Sequence, residues 1–496
     1  MERIFEKKSL QSNAKQWKTN KKGSALAYVL VIMTAVMIIM VSMLGYISSQ
    51  LKFSFNRVER EEAFQIAESG VYFYRWYLAH ETSGKTAQQI ESFWNGTVLG
   101  TPTAYEADYE GIGKYSIEVT RPNSGSTIIV VKATGWTYKM PNVKRTVQVR
   151  FRRPSWSEYI FLSNSFMNFG NEATVYGKVH SNGGIRFDGV AYNTVSSLLP
   201  RFNDATYGGN RMEFGVHTTV NPEDGAAPSY PWADGTVPDR PDIFAGGREF
   251  PVPEVSFSGV TADLANMKTQ AADSAYGKYF DGTGLGRRIK LKNDGTYDVC
   301  TVLKANNNSH AITRYLENDG FGECSSCSGS CLSNYPIVNN GLIFVEDNVW
   351  LEGSIDSKRL TIVSANLSGG GSQTDIYIGI SNAHLRLASY DCDNMLGLIA
   401  QRDILVLNDC PSDFTVDAAL LAQTGKVGIV NGMGGKYSLT FNGAIASYLQ
   451  PYFQSGYSGF SDRTYNFNNN LLYCPPPYFP TGTEYSIDLW EEVQNN

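Results

Sequence analysis

The sequence is poor in the features that mark nucleic-acid binding and most enzyme chemistry. Charged residues make up 18% of its 496 residues, and only five residues are histidine. The histidines are scattered, with no HExxH pattern and no His/Cys ligand spacing, and no G-x-S-x-G or P-loop sequence occurs. Basic residues form no stripe beyond the first 23 positions. We therefore predict a protein that is not an enzyme, with no catalytic residues, metal or cofactor and no nucleic-acid partner.

Charge is also absent from one long apolar run near the N-terminus. Residues 24–47 contain no Asp, Glu, Lys, Arg or His. As a helix this run reaches about 36 Å, enough to cross a hydrocarbon core of about 30 Å. The preceding 23 residues carry seven Lys or Arg against two Glu, which predicts a cytoplasmic N-terminus, one membrane span and an extracytoplasmic remainder. A secretory signal is the alternative, although its apolar region is shorter, roughly 7–15 residues.

The helical pattern continues beyond this span. Apolar side chains recur at steps of three and four on one face, at Phe64, Ala67, Val71, Tyr74 and Leu78, while Glu59 and Glu61 fall among the polar positions opposite. A short helix at 86–94 and strand-like runs at 113–120, 126–134 and 143–151 follow. We expect the apolar stripe to pack on an antiparallel meander formed by these runs, and residues 24–47 to stay free for the membrane.

Beyond residue 156, short β-branched runs recur without helices between them, apart from a predicted helix at 260–280. The tetrapeptides at 397–400, 419–422 and 443–446 look like one inward-facing position repeated. This pattern favours a right-handed β-solenoid, in which each coil stacks on the next, with a β-sandwich as the alternative. The predicted fold is mainly β with a long N-terminal α-helix. Its regions are a basic leader (1–23), the helix (24–80), the small sheet (81–155), a β-solenoid-like body (156–450) with insertions at 193–251 and 281–335, and a Pro-rich closing segment (451–496).

Seven cysteines all lie in the predicted extracytoplasmic part, where disulfides persist. The spacing of Cys324, Cys327 and Cys331 suggests a zinc site, but no second pair stands at ligand spacing, so disulfides involving these residues and Cys300 are the stronger prediction. Cys392 and Cys410 are eighteen residues apart, close to one expected coil, and we predict that they pair.

Several motifs resemble the N-terminal part of PilX-type minor pilins. Gly23 and Ser24 match the two sides of a prepilin peptidase cut, and Ala63-Phe64-Gln-Ile-Ala-Glu68-Ser-Gly70 is similar to the family's AFQxAEAG stretch. Ala133-Thr-Gly135 and residues 144–147 also fit, so the resemblance covers about residues 21–150. It implies cleavage after Gly23, other pilin or pseudopilin subunits as partners, and an inner-membrane assembly platform.

One position departs from the pattern of the major pilins. Their fifth mature residue is glutamate, whereas Tyr28 stands there in this chain. The resemblance then implies a subunit at the filament tip or in initiation, although a tyrosine at this depth also suits a membrane-interface anchor. We predict a minor pilin or pseudopilin of a type IV pilus or type II secretion-like filament, whose β-rich body adheres to a surface ligand or glycan. The alternatives are a permanently anchored β-solenoid adhesin and, third, a carbohydrate-active β-helix enzyme.

Overall fold

The computed structural model describes residues 24–82, 85, 93–94, 105–120, 128–153, 155–207, 209–257, 260–316, 334–368, 371–481 and 485–493. The leader, most of the predicted helix at 86–94, and Cys324, Cys327 and Cys331 lie outside these residues. Within them the protein is mainly β with one long N-terminal helix.

That helix, α1 (Ser24–Thr82), lies with its second half on an antiparallel sheet. The order of strands in this N-terminal sheet is Tyr105–Tyr109, Gly113–Thr120, Ile128–Thr137, Lys144–Arg152 and Ser486–Val493. The three predicted strands are present with ends shifted by up to three residues. Two edge strands were not predicted as part of this sheet, and the last of them comes from the C-terminal end of the chain.

The remaining strands form the β-rich body, which is organised in parallel ladders. The first ladder runs through Gly277–Phe280, Gly341–Val345, Arg359–Ser364, Met395–Ala400, Asp413–Ala422, Gly435–Ser447, Tyr159–Ser163, Lys178–Ser181, Val195–Ser197 and Arg248–Glu249. The second runs through Gly286–Leu291, Asn348–Ile355, Ile376–Ile378, Ile404–Val406 and Val427–Ile429. The third runs through Leu385–Leu387, Asp413–Ala422, Gly435–Ser447, Ser458–Phe467, Ala173–Tyr176 and Val190–Ala191.

Shorter pairings complete the body. Met167–Phe169, Ile185–Phe187 and Val216–His217 form a further parallel set. Antiparallel partners are Arg201–Asn203 with Met212–Phe214, Gln454–Ser455 with Ser458–Phe467, and Thr296–Ala305 with Gly286–Leu291, Ile312–Leu316 and Tyr335–Pro336. Parts of both predicted insertions thus pair with the ladders, because strands of two to ten residues lie among their Gly, Asn and Pro residues.

The order of strands in the first ladder does not follow the chain. The body begins at Tyr159–Ser163, in the middle of the ladder, and its first strands lead outward to Arg248–Glu249. After the helix α2 (Val260–Ala271) the chain resumes at the opposite end, with Gly277–Phe280, and returns inward. Gly435–Ser447 then pairs with Tyr159–Ser163, so the early and late strands of the body meet in mid-ladder.

Both faces of the first ladder are buried. Ile362, Leu398 and Leu420 are aligned on the inner face in the main core. The outer face is covered by α2 and by the C-terminal strap, which we define as residues 474–481. The helix predicted at 260–280 is shorter in the structure and ends at Ala271. Tyr279 lies instead in the strand Gly277–Phe280, which belongs to the first ladder.

Candidate membrane and filament helix

The first half of α1 has no partner among the described residues. From Ala25 to Val58 every side chain is exposed, and an 18-residue window has a mean hydropathy of 2.6 with none of it buried. By length and composition this helix is able to cross a membrane. The hydroxyls of Thr34 and Ser42 donate to the carbonyl oxygens of Val31 and Ile38, at 2.9 and 2.8 Å, so they need no water within an apolar environment. Tyr28 is 70% exposed on this half.

The contact with the sheet begins at Glu59. Its carboxylate accepts a 2.6 Å hydrogen bond from Thr137 Oγ1 and lies 3.5 Å from Lys139 Nζ, and the residue is only 6% exposed. The prediction that Glu59 faces solvent with the other charges is therefore wrong. The signal that was missed is spacing, because Glu59 precedes Ala63 by one helical turn and so lies on the buried face.

Small residues bring the helix backbone close to the sheet. Ala63 and Ala67 are fully buried, and they lie against Gly135 of the Ile128–Thr137 strand. A β-carbon at Gly135 would lie 2.5 Å from the Ala67 nitrogen and closer still to the Ala63 carbonyl oxygen. A β-carbon at Gly70 would make tight contacts with Tyr115 and Ala133. Ala63, Ala67 and Gly70 of the AFQIAESG stretch are thus explained by packing of the helix on its own sheet.

The predicted apolar stripe is confirmed for four of its five members. Ala67, Val71, Tyr74 and Leu78 are at most 2% exposed and share a core with the sheet. Phe64 is only partly buried, because it lies at the edge of the sheet, edge-on to Trp490 with ring centroids 5.7 Å apart. Glu68, on the flank of the stripe, is also partly buried. Burial raises the pKa of the Tyr74 hydroxyl well above its usual range.

The C-terminal strand Ser486–Val493 closes the sheet beside Lys144–Arg152. Complementary side chains hold it in register: Arg145 pairs with Glu492, Gln148 Nε2 donates to Glu491 at 2.6 Å, and Arg150 lies 2.7 Å from Asp488. In the sequence, the basic side chains lie in one of these segments and the acidic side chains in the other. The two segments are more than 300 residues apart, so periodicity within one segment does not reveal the pairing.

The strap connects the body to this strand and is fixed by a disulfide. Cys474 is bonded to Cys392 with a Cα–Cα distance of 5.5 Å, and the strap carbonyls of Pro475 and Pro477 accept from Arg359 and Thr361. The predicted Cys392–Cys410 bond is therefore wrong.

The prediction failed because paired residues on successive strands near Cys392 and Cys410 are more than eighteen residues apart in sequence. Arg359 pairs with Met395, and Ala419 pairs with Ala444. Cys410 is free and buried, which raises its pKa to about 11. Cys300 is disulfide-bonded, whereas the other three cysteines of the predicted group lie outside the described residues.

The described part of the chain contains no cluster of side chains arranged to bind a metal ion. No group of three or more His, Cys, Asp or Glu side chains is arranged there to hold a metal ion. His180 lies buried between Ser196 and Asn182, and burial lowers its pKa.

A long helix, bare along its first half and docked on a small antiparallel sheet along its second, is the arrangement that a resemblance to type IV pilins implies. More particularly, residues 22–71 match the family model described as PilX N-terminal, which confirms the resemblance to PilX-type minor pilins. The match begins just before the described part of α1 and ends within its buried half.

A search of curated proteins finds no match. Among solved structures, the competence-associated pilin ComZ from Thermus thermophilus aligns with 88% of this chain and 97% of its own, at 13% identity and a TM-score of 0.30. A TM-score this low carries no argument about fold or function.

Proposed function

We propose that the chain is a structural minor pilin or pseudopilin of a type IV pilus or type II secretion-like filament. The observation that carries the proposal is the division of α1 into a bare half and a docked half. Before assembly the bare half lies in the cytoplasmic membrane with the N-terminus inside, and after assembly it packs against the helices of other pilin or pseudopilin subunits. The family match at residues 22–71 supports this role.

The proposal includes processing by a prepilin peptidase and recruitment to an inner-membrane assembly platform. Cleavage between Gly23 and Ser24 would release a chain that begins at Ser24, where the described part of α1 begins. Intact-mass measurement of the chain from cells that contain the peptidase should give a mature N-terminus at Ser24. Gly23→Val should block the cut and leave the protein in the membrane.

Gly45→Val is the matched control. Gly45 lies in the same helix with nothing within 4 Å of an added β-carbon, so this variant should be processed normally. A wild-type chain that keeps Met1 in the presence of an active peptidase would contradict the proposal. It would instead favour the alternative of a protein that stays anchored in the membrane by an uncut helix.

We infer a position at the filament tip or in initiation from Tyr28. An exposed, uncharged side chain at this position cannot pair with the N-terminal amine of a neighbouring subunit as a carboxylate would. Immunogold labelling should then mark filament ends at low copy number. Labelling spread evenly along the shaft would contradict this position, and Tyr28→Glu should shift labelling toward the shaft.

We further propose that the body is a β-solenoid and that residues 156–450 form a unit distinct from the helix and its sheet. Support comes from the parallel ladders and from the aligned apolar side chains on the inner face of the first ladder. Its proposed role is adhesion to a surface ligand. A carbohydrate-active enzyme is the rival interpretation, and turnover of surface glycans by the purified protein would identify it.

A further inference from the structure

A polar cavity of about 400 Å³ opens at the corner between the first and second ladders. Its lining consists of Gly282, Glu346, Asp347, Asn348, Asn366, Ser368, Ser372, Gln373 and Thr374. The volume falls within the usual range of small-molecule sites, about 300–1,000 Å³. Unlike most such sites, it has no aromatic side chain in its lining, so recognition there would depend on hydrogen bonds.

The cavity arises from a difference between neighbouring coils. Strands of the two ladders are joined by residues 346–347 in one coil and 401–403 in another, whereas the coil between them uses the longer connection 365–375. Val349 pairs with Ile376 in the second ladder, and Asp347 and Thr374 lie two residues before these partners. A carboxylate and a hydroxyl from neighbouring connections thus line the same cavity.

Both groups have hydrogen-bonding capacity that the described residues do not use. Thr374 is 3% exposed, and its Oγ1 is buried without any hydrogen-bond partner. The Asp347 carboxylate accepts through Oδ1 alone, from the backbone and side-chain nitrogens of Asn348 at 2.7 and 3.1 Å. Buried polar groups without partners are rare, so an unpaired hydroxyl at a cavity wall points to a ligand that supplies its partner.

The charges around the cavity argue against a cation. Both oxygens of Glu346 are occupied, by Lys268 Nζ at 2.6 Å and by the Tyr279 hydroxyl. Burial raises the pKa of the Asp347 carboxyl and the Arg287 guanidinium opposes that rise, while Arg287 itself is ion-paired with Asp281 and Lys268 with Glu346. Only one carboxylate oxygen of the lining is left for a ligand, which is fewer than a calcium site provides.

We propose that this cavity binds a neutral sugar residue of a surface glycan. Vicinal hydroxyls would donate to the free oxygen of Asp347 and pair with Thr374 Oγ1, and the Asn366 and Gln373 amides would contact the remaining hydroxyls. The proposal deepens the adhesion role and rests on it, since it names the chemical class of the ligand.

The test uses the full chain in a detergent without a sugar headgroup, because a maltoside would compete for the site. Saturation-transfer NMR with glucose, galactose, mannose and N-acetylglucosamine should show binding of at least one of them. Thr374→Val and Asp347→Asn should each weaken that binding about tenfold or more, because each removes a buried hydrogen bond, in one case to a charged group.

Thr464→Val is the matched control, since Thr464 lies in Ser458–Phe467 with no part in the cavity, and its binding should equal that of the wild type. Absence of signal from all four sugars, or binding unaffected by both cavity variants, would overturn the proposal. A response to calcium alone would overturn it as well. These outcomes are separate from the minor-pilin proposal, which depends on cleavage at Gly23 and on filament incorporation.

Discussion

The docking of α1 on the sheet should be highly sensitive to one added methyl group at Gly135. In Gly135→Ala the new β-carbon would meet the Ala63 carbonyl oxygen and the Ala67 nitrogen, the latter at 2.5 Å. Both are backbone atoms of a helix, so neither rotates away. To regain an ordinary contact, the helix must move outward by about 1 Å along the buried stripe.

The magnitude follows from the cost of overpacking. An extra methylene in a well-packed core costs typically about 1–3 kcal/mol, and we expect the upper end because the obstacle is backbone. Gly70→Ala gives the internal comparison. Its β-carbon would lie 3.0 Å from a Tyr115 ring carbon and 3.3 Å from the Ala133 β-carbon, a tight contact offset by about 1 kcal/mol of helix propensity. We therefore expect Gly70→Ala to be nearly neutral.

The docking can be measured by hydrogen exchange of the full chain in detergent. Mass spectrometry of peptides from residues 63–78 then gives the exchange rates of the helix amides. A loss of about 3 kcal/mol raises the opening equilibrium of these amides by about a hundredfold. Lys132→Ala, an exposed change in the same strand as Gly135, should leave exchange unchanged. If Gly135→Ala exchanges like the wild type, the helix does not lie against the sheet as described.

Three further predictions follow from burial and cross-linking. Val71→Asp places an unpaired carboxylate under the sheet and should cost several kcal/mol in a denaturant titration, whereas Glu61→Ala, on the exposed face, should be nearly silent. Cys474→Ser opens a cross-link across 82 residues and should lower stability by about 4 kcal/mol, with faster proteolysis at the strap; unchanged proteolysis would argue against a restraining role. Burial lowers the pKa of His217 in the folded chain. Below the unfolded-state pKa of about 6.5, the unfolded chain therefore binds a proton at His217 that the folded chain does not bind. The melting temperature should then fall from pH 7 to pH 5. His217→Gln should reduce that fall, and an identical pH profile would show that other groups cause it.

The sequence was most informative where the pattern is local. The uncharged run, the stripe through Val71 and Leu78, and the strands around Val131 and Val147 follow from helical and alternating periodicity, and the described residues bear them out. The mainly β character of the body followed from composition. These features depend on neighbours within a few residues, which one sequence makes visible.

Features that join distant segments were beyond such reasoning. The C-terminal strand reaches the N-terminal sheet, and Cys474 reaches Cys392, through contacts that have no period in the sequence. The cavity at Asp347 and Thr374 depends on the length of one connection relative to its neighbours in space, and the alignment of coils is known only once the register is known. Glu59 is different, because its spacing from Ala63 was sufficient to place it.

The mid-ladder meeting of Tyr159–Ser163 with Gly435–Ser447 has a consequence for how the body can change in size. Both connections to the N-terminal sheet leave from the neighbourhood of this junction, through residues 153–158 and through the strap. The two extremities, Arg248–Glu249 and Gly277–Phe280, belong to the interior of the chain and carry neither connection. Adding or removing a strand at either extremity would therefore lengthen or shorten the body without displacing its attachment.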